Sequence, residues 1–288
     1  MNTPTVSHQH KRRLQAHLGV TRLPFRKNVA ASQMFDSLSQ RELHQGMLMW
    51  LEVKGLALAT GPSGVGKSIA VRRFVHDLDD SRFRVLQFSS LPTTPTGFLR
   101  SLSRLLGLGM RLHAADMFDA AQKHLFHYAD ETGVHPLIVI DDAEGLRVET
   151  LDLLRRLCAY ELDAEDRFSI LFAATEEILP VLRGNTMLES LRSRIAYVQT
   201  LRPFSLEDTR NYVRFHLQNA GADDKLFSDE AVRRLFHASQ GKPRRINQLA
   251  LQTLIQAAVQ GRDNIDGEFV AAQVAAHPLY QTRVEDKD

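Results

Sequence analysis

From Leu56 to Thr200 the chain alternates short apolar runs with longer segments whose apolar residues return every three or four positions. The runs are Leu56-Ala57-Leu58-Ala59-Thr60, Phe83-Arg84-Val85-Leu86-Gln87-Phe88, Leu137-Ile138-Val139-Ile140-Asp141, Phe168-Ser169-Ile170-Leu171-Phe172-Ala173-Ala174 and the short stretch Ile195–Thr200. Each reads as a strand, and the unbroken apolar third run suits a strand buried on both faces of a parallel sheet. The segments between them read as helices at about 37–54, 69–75, 95–106, 114–131 and 148–160. In the first of these, Leu38, Leu43, Met47, Leu48 and Leu51 gather near one face. Strands alternating with helices predict βαβ units with right-handed crossovers. From Ser205 onward the strand signal stops, and helices are expected at about 206–220, 228–239, 243–260 and 267–277. Ser228 and Asp229 suit an N-cap, and Gly241 and Gly261 suit helix stops. The expected organisation is a polar, basic, flexible N-terminus at 1–13, an α/β domain at 14–203, a small all-helical domain at 204–278 and a tail at 279–288. Pro203-Phe204-Ser205 reads as the linker, and Leu18, Leu23, Phe25, Met34 and Phe35 punctuate the lead-in.

Composition narrows the class. The chain has 288 residues, 43% of them hydrophobic, enough for a large domain with a smaller second one. The formal net charge is +2, so no overall field points to a polyanion, and a basic surface has to come from local clustering. One cysteine, Cys158, excludes a disulfide framework and fits a reducing compartment. It falls in an apolar helix and reads as a core residue rather than a nucleophile. No apolar run is long enough to span a bilayer, and the first residues lack the hydrophobic stretch of a signal peptide. A cytoplasmic protein without membrane contact is expected.

The candidate chemistry is concentrated after the first strand. Gly61-Pro62-Ser63-Gly64-Val65-Gly66-Lys67-Ser68 fits G-x-x-x-x-G-K-[ST], the loop that cradles phosphates. Glycines at this spacing let successive N–H groups turn inward toward an anion, and the following helix adds its N-terminal dipole. Lys67 is placed to reach the β- and γ-phosphates of a nucleotide, and the Ser68 hydroxyl to ligate Mg²⁺. The third strand ends in Asp141-Asp142. An acid after a buried apolar strand is the Walker B pattern, whose carboxylate holds Mg²⁺, so ATP and Mg²⁺ are the expected cofactors. Asp142 stands where a water-activating carboxylate is expected, with Glu144 and Glu176 as alternatives. Thr175, after the fourth strand, is either the polar residue nearest the γ-phosphate or a helix N-cap. Arg192 and Arg194 precede the fifth strand and are either trans-acting arginines or ordinary exposed ones. Arg244 opens a helix of the second domain, as a lid residue over the phosphates or as a solvated helix start.

The combination of this loop with Ile140-Asp141-Asp142-Ala143, Leu191-Arg192-Ser193-Arg194-Ile195 and Gly241-Lys242-Pro243-Arg244 resembles an AAA+ ATPase. The opening Leu18-Gly19-Val20-Thr21-Arg22-Leu23-Pro24-Phe25 is similar to that of the ExeA/GspA-like group, which includes transposon-encoded TniB- and TnsC-like ATPases. The resemblance covers about residues 14–275. It implies a P-loop NTPase (AAA+) parallel-sheet domain followed by a helical lid, with Pro24 and Phe25 lining the adenine pocket. It further implies that Thr175 is sensor 1, Arg192 or Arg194 the arginine finger and Arg244 sensor 2. ATP would drive assembly of a homo-oligomer, ring or helical filament, with nucleotide at each subunit interface. Two departures bear on hydrolysis: the residue after the Walker B aspartate is usually Glu and is here Asp142, and Ala174-Thr175-Glu176 stands where the family often has Gly-Gln-Pro.

Three functions follow from the resemblance. The first is a transposition ATPase that oligomerises on double-stranded DNA and recruits or regulates a transposase, with a target-selection protein as a further partner. The second is a secretion-assembly ATPase of the ExeA/GspA type; that group usually carries a membrane span and a peptidoglycan-binding region, neither of which is seen here. The third is a nucleotide-gated binding module with little hydrolysis. Arg100, Arg104 and Arg111, at spacings of four and seven, share a face if the helix from Pro95 runs on unbroken. Such a stripe either tracks phosphates or is a solvated helix face. No aromatic ladder suggests single strands.

Overall fold

The computed structural model describes residues 15–26, 34–88, 90–92, 94–109, 111–159 and 166–278. The expected N-terminus at 1–13 and tail at 279–288 lie outside the described residues. Two compact units emerge. One is α/β, built from Leu38–Ser63 and Lys67–Arg202. The other is helical, built from the lead-in, Gly64–Gly66 and the chain from Pro203 onward.

In the α/β unit the strands are β1 Leu56–Thr60, β2 Phe83–Gln87, β3 His135–Ile140, β4 Ser169–Ala173 and β5 Ile195–Thr200. They form one sheet of order β2-β3-β4-β1-β5, with every neighbouring pair parallel. β1, β3 and β4 are buried along their whole length, as strands covered on both faces must be. The helices are α1 Leu38–Val53, α2 Lys67–His76, α3 Pro95–Leu105, α4 Ala114–Thr132, α5 Val148–Cys158, α6 Ile178–Gly184 and α7 Glu189–Ser193. Leu56, Leu58, Ile138, Ile140, Ile170 and Phe172 share one core with Phe98, Leu102, Leu125, Leu151 and Leu154 of α3, α4 and α5. Cys158 is part of that core. Gly46 of α1 lies so close to β5 that a Cβ there would fall 1.8 Å from the Tyr197 hydroxyl.

The sheet order fixes how far Asp141 lies from the phosphate-binding loop. β4 is inserted between β1 and β3, so two strand spacings, about 10 Å, separate the strands carrying them. The residue after β4 therefore belongs between the two.

The helical unit contains α8 Leu206–Ala220, α9 Asp229–Ser239, α10 Pro243–Gln260 and α11 Gly267–Ala275. Its helix starts are chemically specified. Ser205 and Asp208 form a capping box on α8, Ser228 caps α9, Pro243 occupies the first turn of α10 and Asp266 caps α11. Ser228, not Asp229, is the cap. The expected boundary at 14 assigns the lead-in to the α/β domain, but its described residues pack with the helices: Leu18, Val20 and Phe25 join Val213, Leu217, Leu235 and Ile246 in one core. The Thr21 N–H donates to the Ala220 carbonyl at 2.9 Å. The Pro203-Phe204-Ser205 stretch, expected as a linker, is likewise locked in. Phe204 is buried against Phe35 and Tyr212, and its N–H donates to the Gly241 carbonyl at 2.8 Å. Gly241 has φ +68°, and a Cβ there would fall 2.1 Å from the Phe204 oxygen. Among the described residues, no helix is long and apolar enough to cross a membrane.

Candidate functional site

The loop after β1 adopts the backbone its glycines predict. Gly61, Gly64 and Gly66 have φ +148°, +79° and +110°, conformations that side-chain-bearing residues rarely adopt. Val65 is buried, while Pro62 is half-buried and Ser63 exposed. α2 starts at Lys67, so its N-terminus follows directly from the loop. Lys67 is 7% exposed, and its Nζ donates to the Gly61 carbonyl at 2.8 Å and the Pro62 carbonyl at 3.2 Å. The ammonium is thus held at the loop itself. Ser68 is exposed on the first turn of α2.

Asp141 follows β3, is half-buried, and accepts the Asp142 N–H on Oδ1 at 3.0 Å. Asp142 has φ +54° and heads the 3₁₀ turn Ala143–Gly145. Aspartate tolerates that left-handed conformation better than most residues. Its side chain is exposed. Glu144, one of the alternatives for positioning water, is engaged otherwise: its Oε2 accepts the Thr175 N–H at 3.0 Å. Thr175 stands just past β4, in the position between the loop strand and the Asp141 strand. Its hydroxyl oxygen is buried and has no hydrogen-bond partner among the described residues. The helix-cap alternative therefore fails, since α6 begins after Glu177 and that hydroxyl caps nothing.

This donor set fits a magnesium nucleotide. Among the described residues no three His, Cys, Asp or Glu side chains cluster as a self-sufficient metal cage. One hydroxyl and one carboxylate are nevertheless what Mg²⁺ uses when phosphates and waters complete its shell.

The arginines differ in their commitments. The Arg192 Nη1 donates to the Leu182 and Arg183 carbonyls, both at 3.3 Å, closing the C-terminal end of α6. Arg194 is half-buried where α7 passes into β5, and its carbonyl accepts the Leu56 N–H. In the helical unit, Arg244 is exposed in the first turn of α10, and its N–H donates to the Gly64 carbonyl at 3.2 Å. Pro24 and Phe25 are buried, Phe25 to 2%. The Phe25 ring packs on His216 and Phe227, and its N–H donates to His216 Nδ1 at 3.3 Å, which holds a bulky residue at φ +58°. The ring is therefore part of the helical core. Burial, with the Arg22 charge adding to it, pushes His216 down to about 4. Sequence reasoning missed His216 because no local signal pairs residues 191 positions apart.

Arg100 and Arg104 are exposed on α3, but the expected three-arginine stripe is not one face. α3 ends at Leu105 and Gly107 turns at φ +76°, so Arg111 lies beyond the helix.

Residues 51–182 match the family model described as "AAA domain". The chain is 28% identical to general secretion pathway protein A of Aeromonas hydrophila over 217 residues, 73% of this chain and 38% of that protein. It thus spans about two fifths of the length of that relative. Among solved structures it resembles Cdc6p from Pyrobaculum aerophilum, with TM-score 0.65, 16% identity, and 86% of this chain and 71% of that one covered. It also resembles the Aeropyrum pernix ORC1 protein solved in complex with DNA, with TM-score 0.61, 16% identity and coverage of 92% and 69%. At these identities the structures speak for the fold alone. The match runs from the end of α1 into α6, and the chain has the AAA+ P-loop fold: a parallel sheet with a helical region after it.

Proposed function

We propose that this protein is an AAA+ ATPase that binds Mg-ATP through residues 61–68, hydrolyses it slowly, and assembles in its ATP state on double-stranded DNA. One observation carries the reading. β1, β4 and β3, side by side, end respectively in the phosphate loop, in Thr175 with its partnerless hydroxyl, and in Asp141-Asp142. Lys67 would release its two loop carbonyls and neutralise the β- and γ-phosphates, and Ser68 and Asp141 would hold Mg²⁺. Bound magnesium supplies charge neutralisation of the transferring phosphoryl group. Thr175 would donate its hydroxyl toward the γ-phosphate, and Asp142 would orient water. Arg244 suits sensor 2, and the Pro24-Phe25 backbone suits the adenine. Arg192 or Arg194 would be the arginine offered to a neighbouring subunit.

The DNA part rests on the exposed Arg100 and Arg104 and on similarity to a protein solved with DNA. The finer reading is recruitment or regulation of a transposase, and it rests on the opening at residues 18–25, which resembles the ExeA/GspA-like group that includes TniB- and TnsC-like ATPases. A second reading, secretion assembly, is favoured by the 28% identity to general secretion pathway protein A. Two measurements test these readings. ATP turnover with and without duplex DNA should rise with DNA, and DNA-bound assemblies should require ATP. If ATP binds and is hydrolysed but duplex DNA changes neither turnover nor assembly, the DNA reading is lost and the secretion reading gains. If ATP does not bind, both are lost.

A further inference from the structure

We infer that Glu144 is a positioning residue: its carboxylate ties the main chain of Thr175 to the turn after β3, and so aims the Thr175 hydroxyl. The inference rests on the proposed ATPase function and deepens it.

The geometry is specific. β3 and β4 are neighbours, paired from Leu137 with Ser169 to Ile140 with Phe172. Beyond those pairs the two backbones leave the ladder, and the Thr175 N–H has no strand partner. Glu144 reaches it from the 3₁₀ turn and accepts it at 3.0 Å. That turn is rigid from both sides. Its first residue, Ala143, is fully buried, and the Gly145 N–H donates back to the Asp142 carbonyl at 2.9 Å. On the other flank, the Ala174 N–H donates to the Ala59 carbonyl at 3.0 Å, tying β4 to the strand that leads into the phosphate loop. Thr175 is thus held through its own N–H and through the residue before it. The Thr175 hydroxyl, buried and without a hydrogen-bond partner among the described residues, is left by this frame to an outside acceptor. A carboxylate accepting a backbone N–H is a charge-assisted bond, stronger than a neutral one. The same bond argues against Glu144 as the water-orienting carboxylate, because the group already has a fixed use.

The two roles predict opposite behaviour in a conservative variant. Glu144→Gln keeps an oxygen that accepts the Thr175 N–H but removes the basic carboxylate; Glu144→Ala removes both. The first measurement is hydrogen–deuterium exchange at the Thr175 amide, which reads the bond without reference to hydrolysis. Protection should persist in Glu144→Gln and fall at least about tenfold in Glu144→Ala, the size expected for a lost charge-assisted bond. The second is steady-state ATP turnover. Glu144→Ala should lower kcat by about ten- to a hundredfold, the range for a catalytic group displaced by about 1 Å, with KM changed little. Glu144→Gln should restore most of it. If Glu144→Gln is as inactive as Glu144→Ala while still protecting the amide, Glu144 is the base and the inference fails. Unchanged exchange in Glu144→Ala shows that the bond does not hold Thr175 and overturns it as well. A chain that binds no ATP and turns none over refutes the ATPase reading instead, and that result is distinguishable because amide exchange still reports the bond.

Discussion

Lys67 and Asp142 show how much rests on single side chains. Lys67 is the loop's only cation, and its ammonium is held by two carbonyls of the same loop. Lys67→Ala should abolish tight ATP binding while leaving the fold intact; normal ATP affinity, measured with a fluorescent analogue, would falsify the assignment of the loop. Asp142 raises a subtler trade. Its carboxylate is one methylene shorter than glutamate, and a shortfall of about 1 Å costs on the order of a hundredfold in rate. Asp142→Glu should therefore raise ATP turnover. The left-handed backbone at φ +54° favours aspartate or asparagine, so the same change should destabilise the fold by about 1 kcal/mol. Asp142→Asn should lower turnover further and leave the melting temperature unchanged. If Asp142→Asn hydrolyses ATP as fast as the parent, the water is oriented by something else.

At the scale of elements, α3 carries the clearest surface prediction. Arg100 and Arg104 are one helical turn apart and exposed, and α3 stops before Arg111. Arg100→Ala combined with Arg104→Ala should weaken duplex binding alike for all sequences and flatten the salt dependence by about two units of slope. A double variant that binds as well as the parent across several salt concentrations makes this a solvated face. Elements with strong internal periodicity or unbroken apolar runs were legible in the sequence: β1, β5, α8 and α10 have the bounds read from the pattern. The phosphate loop was legible because glycine spacing and positive φ are the same fact seen twice. α6 and α7 were missed because seven and five residues offer too few turns to show a period. The break after α3 was signalled by Gly107. The insertion of β4 beside β1 was not legible, since strand order depends on which faces find a partner and not on local composition.

Over the whole molecule, acid should act through two buried histidines, one in each unit. His135 is pushed down to about 4 mainly by burial, and pairs with Ser169 at 2.9 Å; His216 is pushed down to about 4 for the same main reason. Both folded values lie below the unfolded value of about 6.5. Unfolded chains therefore bind more protons between those limits, and stability should fall as pH drops from about 6.5 toward 4. His216→Asn keeps an acceptor for the Phe25 N–H and does not titrate, so it should shrink the loss in melting temperature between pH 7 and pH 5. An equal loss in the parent and the variant would assign the acid sensitivity elsewhere.

The packing of the lead-in with α8–α11 also sets an order of events during synthesis. The residues that complete the helical unit sit at both ends of the described chain, with Thr21 bonded to Ala220 and Phe25 to His216. All the strands and helices of the α/β unit have been made once Arg202 is added, and that unit can fold as the ribosome continues. The lead-in, made first, has to wait for partners as far along as Val270. At ordinary translation rates that interval is roughly twelve to fifty seconds. Throughout it, Leu18, Val20 and Phe25 have no core to enter. These apolar residues of the lead-in, made before the α/β unit, are therefore buried after it, and they mark where a nascent-chain chaperone has a long opportunity to bind.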